Sequence, residues 1–176
     1  MIETERLVLR PYRPILAARI ADGAPRDPRW ADGFPGDGEQ LAARMFLQAG
    51  APAGPWVPYT VELRATGQVV GGAGFHGPPD RAGTVEIGYG LVPGARGHGY
   101  ATEAALALVE FAAHLGARCG GRAGPRQPAE RERAAPGRFH ADRAAVLGAA
   151  ADLSPVRRNV HLAGIRPDNG RGGVQQ

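Results

Sequence analysis

A glycine-rich segment near the middle of the chain has the residue types and spacing of an anion-binding turn. The segment LVPGARGHGYATEA spans residues 91–104 and contains Gly94, Gly97 and Gly99 directly before a run with helical periodicity. Glycine lets backbone N–H groups approach a ligand closely, and the N-terminus of a helix adds unpaired N–H donors with a partial positive charge. The segment therefore predicts a turn that binds a phosphate or another anion through main-chain donors.

Two common phosphate-binding turns do not fit these residues. A Walker loop needs Lys followed by Ser or Thr after its last glycine, and this chain contains no lysine. A dinucleotide fingerprint that began at Gly97 would need Gly or Ala at the position of Thr102. It would also need a parallel βαβ unit, whereas the segments before the turn are predicted to form antiparallel hairpins.

The residues around the turn resemble a third kind of anion site. The hexapeptide RGHGYA, residues 96–101, is similar to the Arg/Gln-x-x-Gly-x-Gly/Ala signature of the GNAT superfamily of acetyl-CoA-dependent N-acetyltransferases. The segments IETERLVLRPY, TGQVVGGAGFHG and VEIGYGLVPGARGHGYATEA extend the resemblance over residues 2 to about 118, to the branch that includes ribosomal-protein N-terminal acetyltransferases. The resemblance implies a mixed α/β (α+β) fold with a mainly antiparallel sheet and flanking helices.

The resemblance also implies how acetyl-CoA would bind. In GNAT enzymes the strand before the signature is splayed from its neighbour, and its free backbone groups pair with the pantetheine arm as an added strand would. On this chain those groups lie near Leu91 and Val92. The pyrophosphate would be held by the amides of the signature and the residues that follow it: Arg96, Gly97, His98, Gly99, Tyr100, Ala101 and Thr102. The alternative is that the glycines only form a strand-to-helix turn, and the His98 side chain is expected to be an exposed loop residue.

Acetyl transfer to an amine needs a neutral nucleophile, and an ordinary amine is almost fully protonated at neutral pH. A general base, acting directly or through water, is therefore expected. The candidate is Glu86, which lies on the strand that runs into the glycine turn, and GNAT relatives often have a glutamate there in that role. The alternative is a solvated strand carboxylate. Glu103 and Glu110 are interpreted as surface charges of the following helix, with Glu103 favourably placed near its positive end.

The elements that must position these residues follow from hydrophobic periodicity. Residues 55–63, 67–75 and 83–92 are β-branched or aromatic runs divided by short turn signals, which predict antiparallel strands. Apolar residues then recur at helical spacing from Tyr100 to Leu115, the clearest helix signal in the chain.

The N-terminal part is predicted to contain one strand and two helices. The segment ERLVLRPY predicts a short strand stopped by Pro11, and a short helix is expected after Pro14. Asp37 is the expected cap of the next helix. The four aromatic residues Trp30, Phe34, Trp56 and Tyr59 either wall an acceptor pocket or pack in the core.

Charge is distributed unevenly along the 176 residues. Residues 1–118 contain 11 arginines against 12 acidic residues, a net charge of −1, and residues 119–176 contain 10 arginines against 5 acidic residues, a net charge of +5. Because all 21 basic residues are arginine, we interpret the excess as a bias of the coding DNA. Nucleic-acid binding by the arginine-rich part is the weaker alternative, since that part has no recognisable motif.

Composition bounds the remaining classes. No apolar run approaches the ~20 residues that span a bilayer, and the start contains Glu3 and Glu5 where a secretory signal would be basic and then apolar. We expect a cytoplasmic protein without a membrane partner. Cys119 is the single cysteine, so no internal disulfide is expected, and the scattered histidines predict no metal site.

The family pattern ends in the last third of the chain. Between Leu115 and Val146 there is no Val, Ile, Leu or Met, so residues 119–176 are expected to be disordered apart from a weak helix over 143–153. The strand, the helix and the closing hairpin that follow in GNAT domains are missing or degraded.

A shifted reading frame would account for this loss. Read one base later, the codons of residues 127–128 and 130–131 permit Asn or Ser, those of residues 133–134 permit Val and Leu, and those of residues 138–140 permit Gly-Phe. These fall at the spacing of the missing family residues, so we hypothesise that the chain from about residue 119 is translated out of frame. The resemblance thus implies an N-acetyltransferase that acts on a primary amine, and the alternative is an inactive remnant with weak or no binding of acetyl-CoA.

Overall fold

The computed structural model describes residues 1–23 and 26–119. In chain order its elements are β1 (Ile2–Glu3), β2 (Leu7–Pro11), α1 (Pro14–Asp22), α2 (Asp37–Gln48), β3 (Pro58–Leu63), β4 (Val69–Phe75), β5 (Thr84–Val85), β6 (Ile87–Leu91), α3 (Tyr100–His114) and β7 (Arg118–Cys119). The predicted helix over 143–153 and nearly all of the arginine-rich part lie outside the described residues.

Five strands form an antiparallel sheet in the order β1-β2-β3-β4-β6. Short connections join β1 to β2 and β3 to β4, as expected for hairpins, whereas α1 and α2 lie between β2 and β3. The mixed α/β fold with a mainly antiparallel sheet and flanking helices is therefore confirmed.

The third predicted strand, residues 83–92, divides at Glu86 because the chain changes its pairing partner there. Before Glu86, β5 pairs in parallel with β7, with Thr84 opposite Arg118. After Glu86, β6 pairs antiparallel with β4. Strand β7 therefore lies where the sequence analysis expected the next strand of the family to be missing. The outer edge of β6 has no strand partner among the described residues.

The two faces of the sheet are covered by different helices. Helix α3 packs on one face, where the ring of Phe111 lies 6.3 Å from that of Phe75 on β4. Helix α2 lies over the opposite face, where the side chain of Glu39 contacts Gly72, three residues earlier on β4. Neighbouring residues of a strand point to opposite faces, so an odd separation places these two contacts on different sides. The base candidate and the glycine turn thus join a sheet that is packed on both sides.

The loop between α1 and α2 is part of the sheet edge. The amide of Val69 donates to the carbonyl of Arg29 at 2.7 Å, and the amide of Ala31 donates to the carbonyl of Val69 at 2.9 Å. These bonds hold the aromatic residues of the loop inside the core, where Trp30 and Phe34 are buried and their rings meet edge to face. Both rings therefore pack in the core, which is the second of the two alternatives.

The other two aromatic residues also pack inward. Tyr59 on β3 is buried, and its hydroxyl donates to the carbonyl of Pro55. Trp56 is partly buried, with its ring 5.0 Å from that of Phe75. Both side chains therefore pack in or against the core, which is the second of the two alternatives that the sequence left open.

Candidate active site

The glycine turn has the backbone conformation that its sequence predicts. A single 3-10 turn over Pro93–Ala95 leads from β6 into residues 96–99, and α3 begins at Tyr100. Gly97 and Gly99 have φ angles of 79° and 78°, in the left-handed region that side chains disfavour. A Cβ added to Gly97 would meet nothing within 4 Å, so the space beside this residue is open. Glycine at both positions permits the left-handed backbone conformation, and at position 97 it also leaves space for a ligand.

The start of α3 offers unpaired donors. Hydrogen bonding at this end begins with the amide of Glu103, which donates to the carbonyl of Gly99 at 3.0 Å. The amides of Tyr100, Ala101 and Thr102 therefore have no acceptor inside the helix. The amide of Arg96 differs, because it donates to the carbonyl of Pro93 at 3.2 Å. The sequence counted Arg96 among the free amides, and in this structure its amide is already bonded.

The turn is held in place by Glu103, which receives donors from the N-terminal segment. The hydroxyl of Thr4 donates to its Oε1 at 2.6 Å and the backbone amide of Arg6 donates to the same oxygen at 2.9 Å. The Nε and Nη2 atoms of Arg6 each lie 2.6 Å from Oε2. Both guanidinium nitrogens thus donate to one carboxylate oxygen, and the other two donors share the second oxygen. All are hydrogen bonds to a charged acceptor, which is the strong kind.

Arg6 extends the same contact to the turn. Its Nη1 donates to the carbonyl of His98 at 2.9 Å, and its guanidinium lies 4.9 Å from the ring centre of Tyr100. The His98 ring stacks on Tyr100, and its Nδ1 lies 2.8 Å from the carbonyl oxygen of Arg96. We call Thr4, Arg6 and Glu103 the clamp, because they join the β1–β2 turn to the first turn of α3.

The clamp corrects one sequence expectation. Glu103 was interpreted as a surface charge, but its side chain is 16% exposed and fully occupied by the clamp. Partial burial raises its pKa, but the hydrogen bonds from Thr4 and Arg6 and the charge of Arg6 outweigh burial, so the pKa of Glu103 lies below its ordinary value. Its position in the first turn of α3 agrees with the expected interaction with the helix dipole.

The backbone groups of Leu91 and Val92 are less free than expected. The amide of Val92 donates to the carbonyl of Val70 at 2.9 Å, and the carbonyl of Leu91 accepts a hydrogen bond from Nε of Arg96 at 3.0 Å. The expectation of free backbone groups is therefore wrong for the Val92 amide, because the ladder to β4 continues one residue past β6. The Leu91 carbonyl is covered by a long exposed side chain, which must move before another donor can bind there.

The base candidate lies at the opposite end of β6. Glu86 is placed by its backbone carbonyl, which accepts a hydrogen bond from the amide of His76 at 3.0 Å. Its side chain is 48% exposed, and Oε1 lies 3.6 Å from Nδ1 of His76. The carboxylate is thus accessible to solvent and has an imidazole neighbour that the sequence did not indicate.

A buried carboxylate on α2 was missed by sequence reasoning. Glu39 is 8% exposed, and its Oε2 accepts a hydrogen bond from the amide of Gly36 at 3.0 Å. Burial raises the pKa of Glu39, and backbone hydrogen bonds from Gly36, Glu39 itself and Gly72 offset this only in part. The available signal was a glutamate three residues into the helix, the spacing of a capping box. The expected cap, Asp37, is instead the first residue of α2, and Gly36 precedes it.

The described residues contain no group of three or more His, Cys, Asp or Glu side chains that could hold a metal ion. Within residues 1–23 and 26–119, no helix combines the length and the apolar character needed to cross a membrane.

Comparison with known proteins identifies a family. The family model described as an acetyltransferase (GNAT) domain matches residues 6–132, which extends past residue 118, where the sequence resemblance ended. None of the curated proteins matches the chain in sequence.

Several solved structures resemble the chain. A GNAT-family acetyltransferase from Bacillus anthracis is 24% identical with a TM-score of 0.43, and the match covers 65% of this chain and 66% of that one. A GNAT-family acetyltransferase from Brucella melitensis, in complex with acetyl-CoA, is 22% identical with a TM-score of 0.41 and coverage of 64% and 73%. RimL, a ribosomal L7/L12 α-N-protein acetyltransferase in complex with coenzyme A, is 15% identical with a TM-score of 0.43 and coverage of 64% and 67%. The chain spans just under two thirds of the Bacillus protein.

Proposed function

The chain belongs to the GNAT acetyltransferase family, and we propose that it transfers an acetyl group from acetyl-CoA to a primary amine, either a protein N-terminus or a small amine. The observation that supports this most is the conjunction of the open glycine turn with the unpaired amides at the start of α3. A diphosphate fits such a turn because its charge is met by oriented N–H donors and by the positive end of the helix dipole. Two of the related structures contain coenzyme A or acetyl-CoA.

In this proposal the amides of Gly97 to Thr102 bind the pyrophosphate, and the clamp keeps them oriented. Arg96 has an exposed guanidinium beside the same turn and would add a charged contact to a phosphate once it leaves the Leu91 carbonyl. The pantetheine arm would lie along the outer edge of β6. Acetyl-CoA supplies the thioester as acyl donor.

The reaction itself needs one base. The amine nitrogen forms a bond to the acetyl carbon, the carbon–sulfur bond breaks, and the sulfur leaves as the thiolate of coenzyme A. Glu86 accepts the proton that the amine must lose, directly or through water, and its exposure gives both the amine and water access. The cytoplasm stays the predicted location.

The test is a titration calorimetry measurement with acetyl-CoA, followed by a thiol-release assay with peptide N-termini, polyamines, aminoglycosides and small amines. We expect binding and amine-dependent thiol release. A ligand control is acetyl-pantetheine, which lacks both the pyrophosphate and the adenosine part and should bind more weakly. Equal binding of the two ligands would contradict the assignment of the glycine turn.

An inactive truncated or frameshifted remnant is the second candidate, because the sequence after residue 118 lacks the strand, helix and hairpin residues of the family. It would bind acetyl-CoA weakly or not at all and release no thiol with any amine. Retention on DNA that falls with increasing salt would instead support the nucleic-acid alternative.

A further inference from the structure

We propose that His76 is a second proton-transfer residue of this site and acts together with Glu86. The inference rests on the proposed function and adds a residue that neither the sequence signature nor the family match assigns. It depends on three observations: the backbone pairing of the two residues, the distance between their side chains, and the glycine on which the imidazole ring lies.

The backbone fixes the two residues opposite each other. His76 is the residue directly after β4, and Glu86 directly precedes β6. The hydrogen bond from the His76 amide to the Glu86 carbonyl continues the ladder in which Phe75 faces Ile87. Because directly opposite residues of an antiparallel pair point to the same face, their side chains must be neighbours.

The side chains meet at a distance that a small rotation closes. Nδ1 of His76 lies 3.6 Å from Oε1 of Glu86, inside ion-pair range and slightly beyond a hydrogen bond. Catalytic contacts are often long before substrate binds and shorten in the complex. The two side chains therefore have the geometry of a carboxylate–imidazole pair whose contact distance shortens when substrate binds.

The imidazole has a defined place because residue 88 is glycine. A Cβ at Gly88 would lie 2.7 Å from Nε2 of His76, so any other residue would displace the ring. The ring nevertheless remains 58% exposed. One ring nitrogen thus faces Glu86 while the ring as a whole keeps contact with water, which is the arrangement that a proton shuttle needs.

The proton balance is complete with these two groups and water. Glu86 accepts the proton from the amine, and the carboxylic acid then donates it to Nδ1 of His76. The imidazolium then releases its Nδ1 proton to water, so that Glu86 is again a carboxylate and the His76 ring is again neutral in its starting Nε2–H tautomer. Histidine suits this step because its two nitrogens exchange donor and acceptor roles near neutral pH.

A purely structural role is a poor account of the pair. An exposed contact of this kind contributes little to stability, so loss of His76 should leave the melting temperature nearly unchanged. Activity and stability are therefore separable in a single variant.

The experiment compares His76→Gln and His76→Ala with His114→Gln, which removes the exposed histidine at the end of α3. For both His76 variants we expect kcat to fall by roughly 10- to 100-fold, at the lower end of the effect of a general base. The KM for the amine, the affinity for acetyl-CoA and the melting temperature should stay within twofold or a few degrees of wild type. Added imidazole should restore activity to His76→Ala in a concentration-dependent way, and His114→Gln should behave as wild type.

Two outcomes overturn the proposal. An unchanged kcat in both His76 variants, with an active wild type, removes His76 from the reaction and leaves the proposed function standing. A fall in kcat that imidazole does not restore and that accompanies a matching loss of acetyl-CoA affinity assigns His76 a structural role. If the wild-type chain releases no thiol with any amine, the proposed function itself has failed, and the inference fails with it.

Discussion

The two ends of β6 are built in opposite ways. At its C-terminal end, the glycine turn is held by the clamp, whose contacts join residues almost 100 positions apart and leave the Glu103 carboxylate largely buried. At its N-terminal end, Glu86 and His76 are about half exposed and meet at 3.6 Å. The end proposed to bind acetyl-CoA is held by the hydrogen bonds of the clamp. The end proposed to bind the amine acceptor is open to solvent. The structure around Glu86 and His76 therefore gives little indication of which amine the site would select.

This difference predicts that substitutions at the open end leave the stability of the fold unchanged and that substitutions at the clamped end lower it. Glu86→Gln should lower kcat by about 100-fold or more with no loss of stability, because the amide keeps the shape of the side chain and cannot accept a proton. Steady-state thiol release and thermal melting measure both quantities.

The same variant sharpens the assignment through the choice of acceptor. An amine of low pKa is already neutral at the assay pH, so it should be affected much less by Glu86→Gln than an ordinary alkylamine. Equal losses for both kinds of amine would show that Glu86 does not act as the base.

Glu103→Gln tests the clamped end. Gln cannot balance the charge of Arg6, and the loss of charge-assisted hydrogen bonds should lower the free energy of unfolding by about 1 to 3 kcal/mol. Affinity for acetyl-CoA should fall as well, because Arg6 also holds the His98 carbonyl. Denaturant unfolding measures the first effect and calorimetry the second. Glu110→Gln, on the same helix, is the matched control and should change neither.

The pH dependence of that difference has a definite sign. The folded pKa of Glu103 lies below its ordinary value because hydrogen bonds outweigh burial. The stabilisation from the ionised carboxylate is therefore present above the unfolded pKa of about 4.3 and is lost as the pH falls through the folded pKa. The difference in stability between wild type and Glu103→Gln should be constant near neutral pH and shrink in acid. A difference that grows in acid would contradict the clamp.

Sequence periodicity was sufficient for the main elements and for the glycine turn. The helix expected over 100–115 is present as α3, and the positive φ angles of Gly97 and Gly99 are those that a tight strand-to-helix turn requires. Local patterns determine such features because neighbouring residues supply both the conformation and its partner.

Contacts between distant residues could not be predicted in the same way. Glu103 looked like any charged residue on a helix, since its partners Thr4 and Arg6 precede it by almost 100 residues. The neighbour of Glu86 was missed because it depends on the register of β4 against β6, which periodicity alone does not fix. Glu39 is a comparable case, because its burial against Gly72 depends on how α2 crosses the sheet.

The smallest expected effect separates backbone strain from ligand contact. Gly97 and Gly67 both have positive φ angles, 79° and 70°, and at both positions an added Cβ would meet nothing within 4 Å. Ala at either position should therefore lower the free energy of unfolding by a similar amount, about 1 kcal/mol. Only Gly97 lies in the glycine turn, whereas Gly67 lies between β3 and β4. Gly97→Ala should in addition weaken acetyl-CoA binding by roughly 10-fold, which corresponds to about 1.4 kcal/mol, while Gly67→Ala should leave it unchanged. If the two variants bound acetyl-CoA equally well, residue 97 would have no ligand beside it and the diphosphate would have to bind elsewhere.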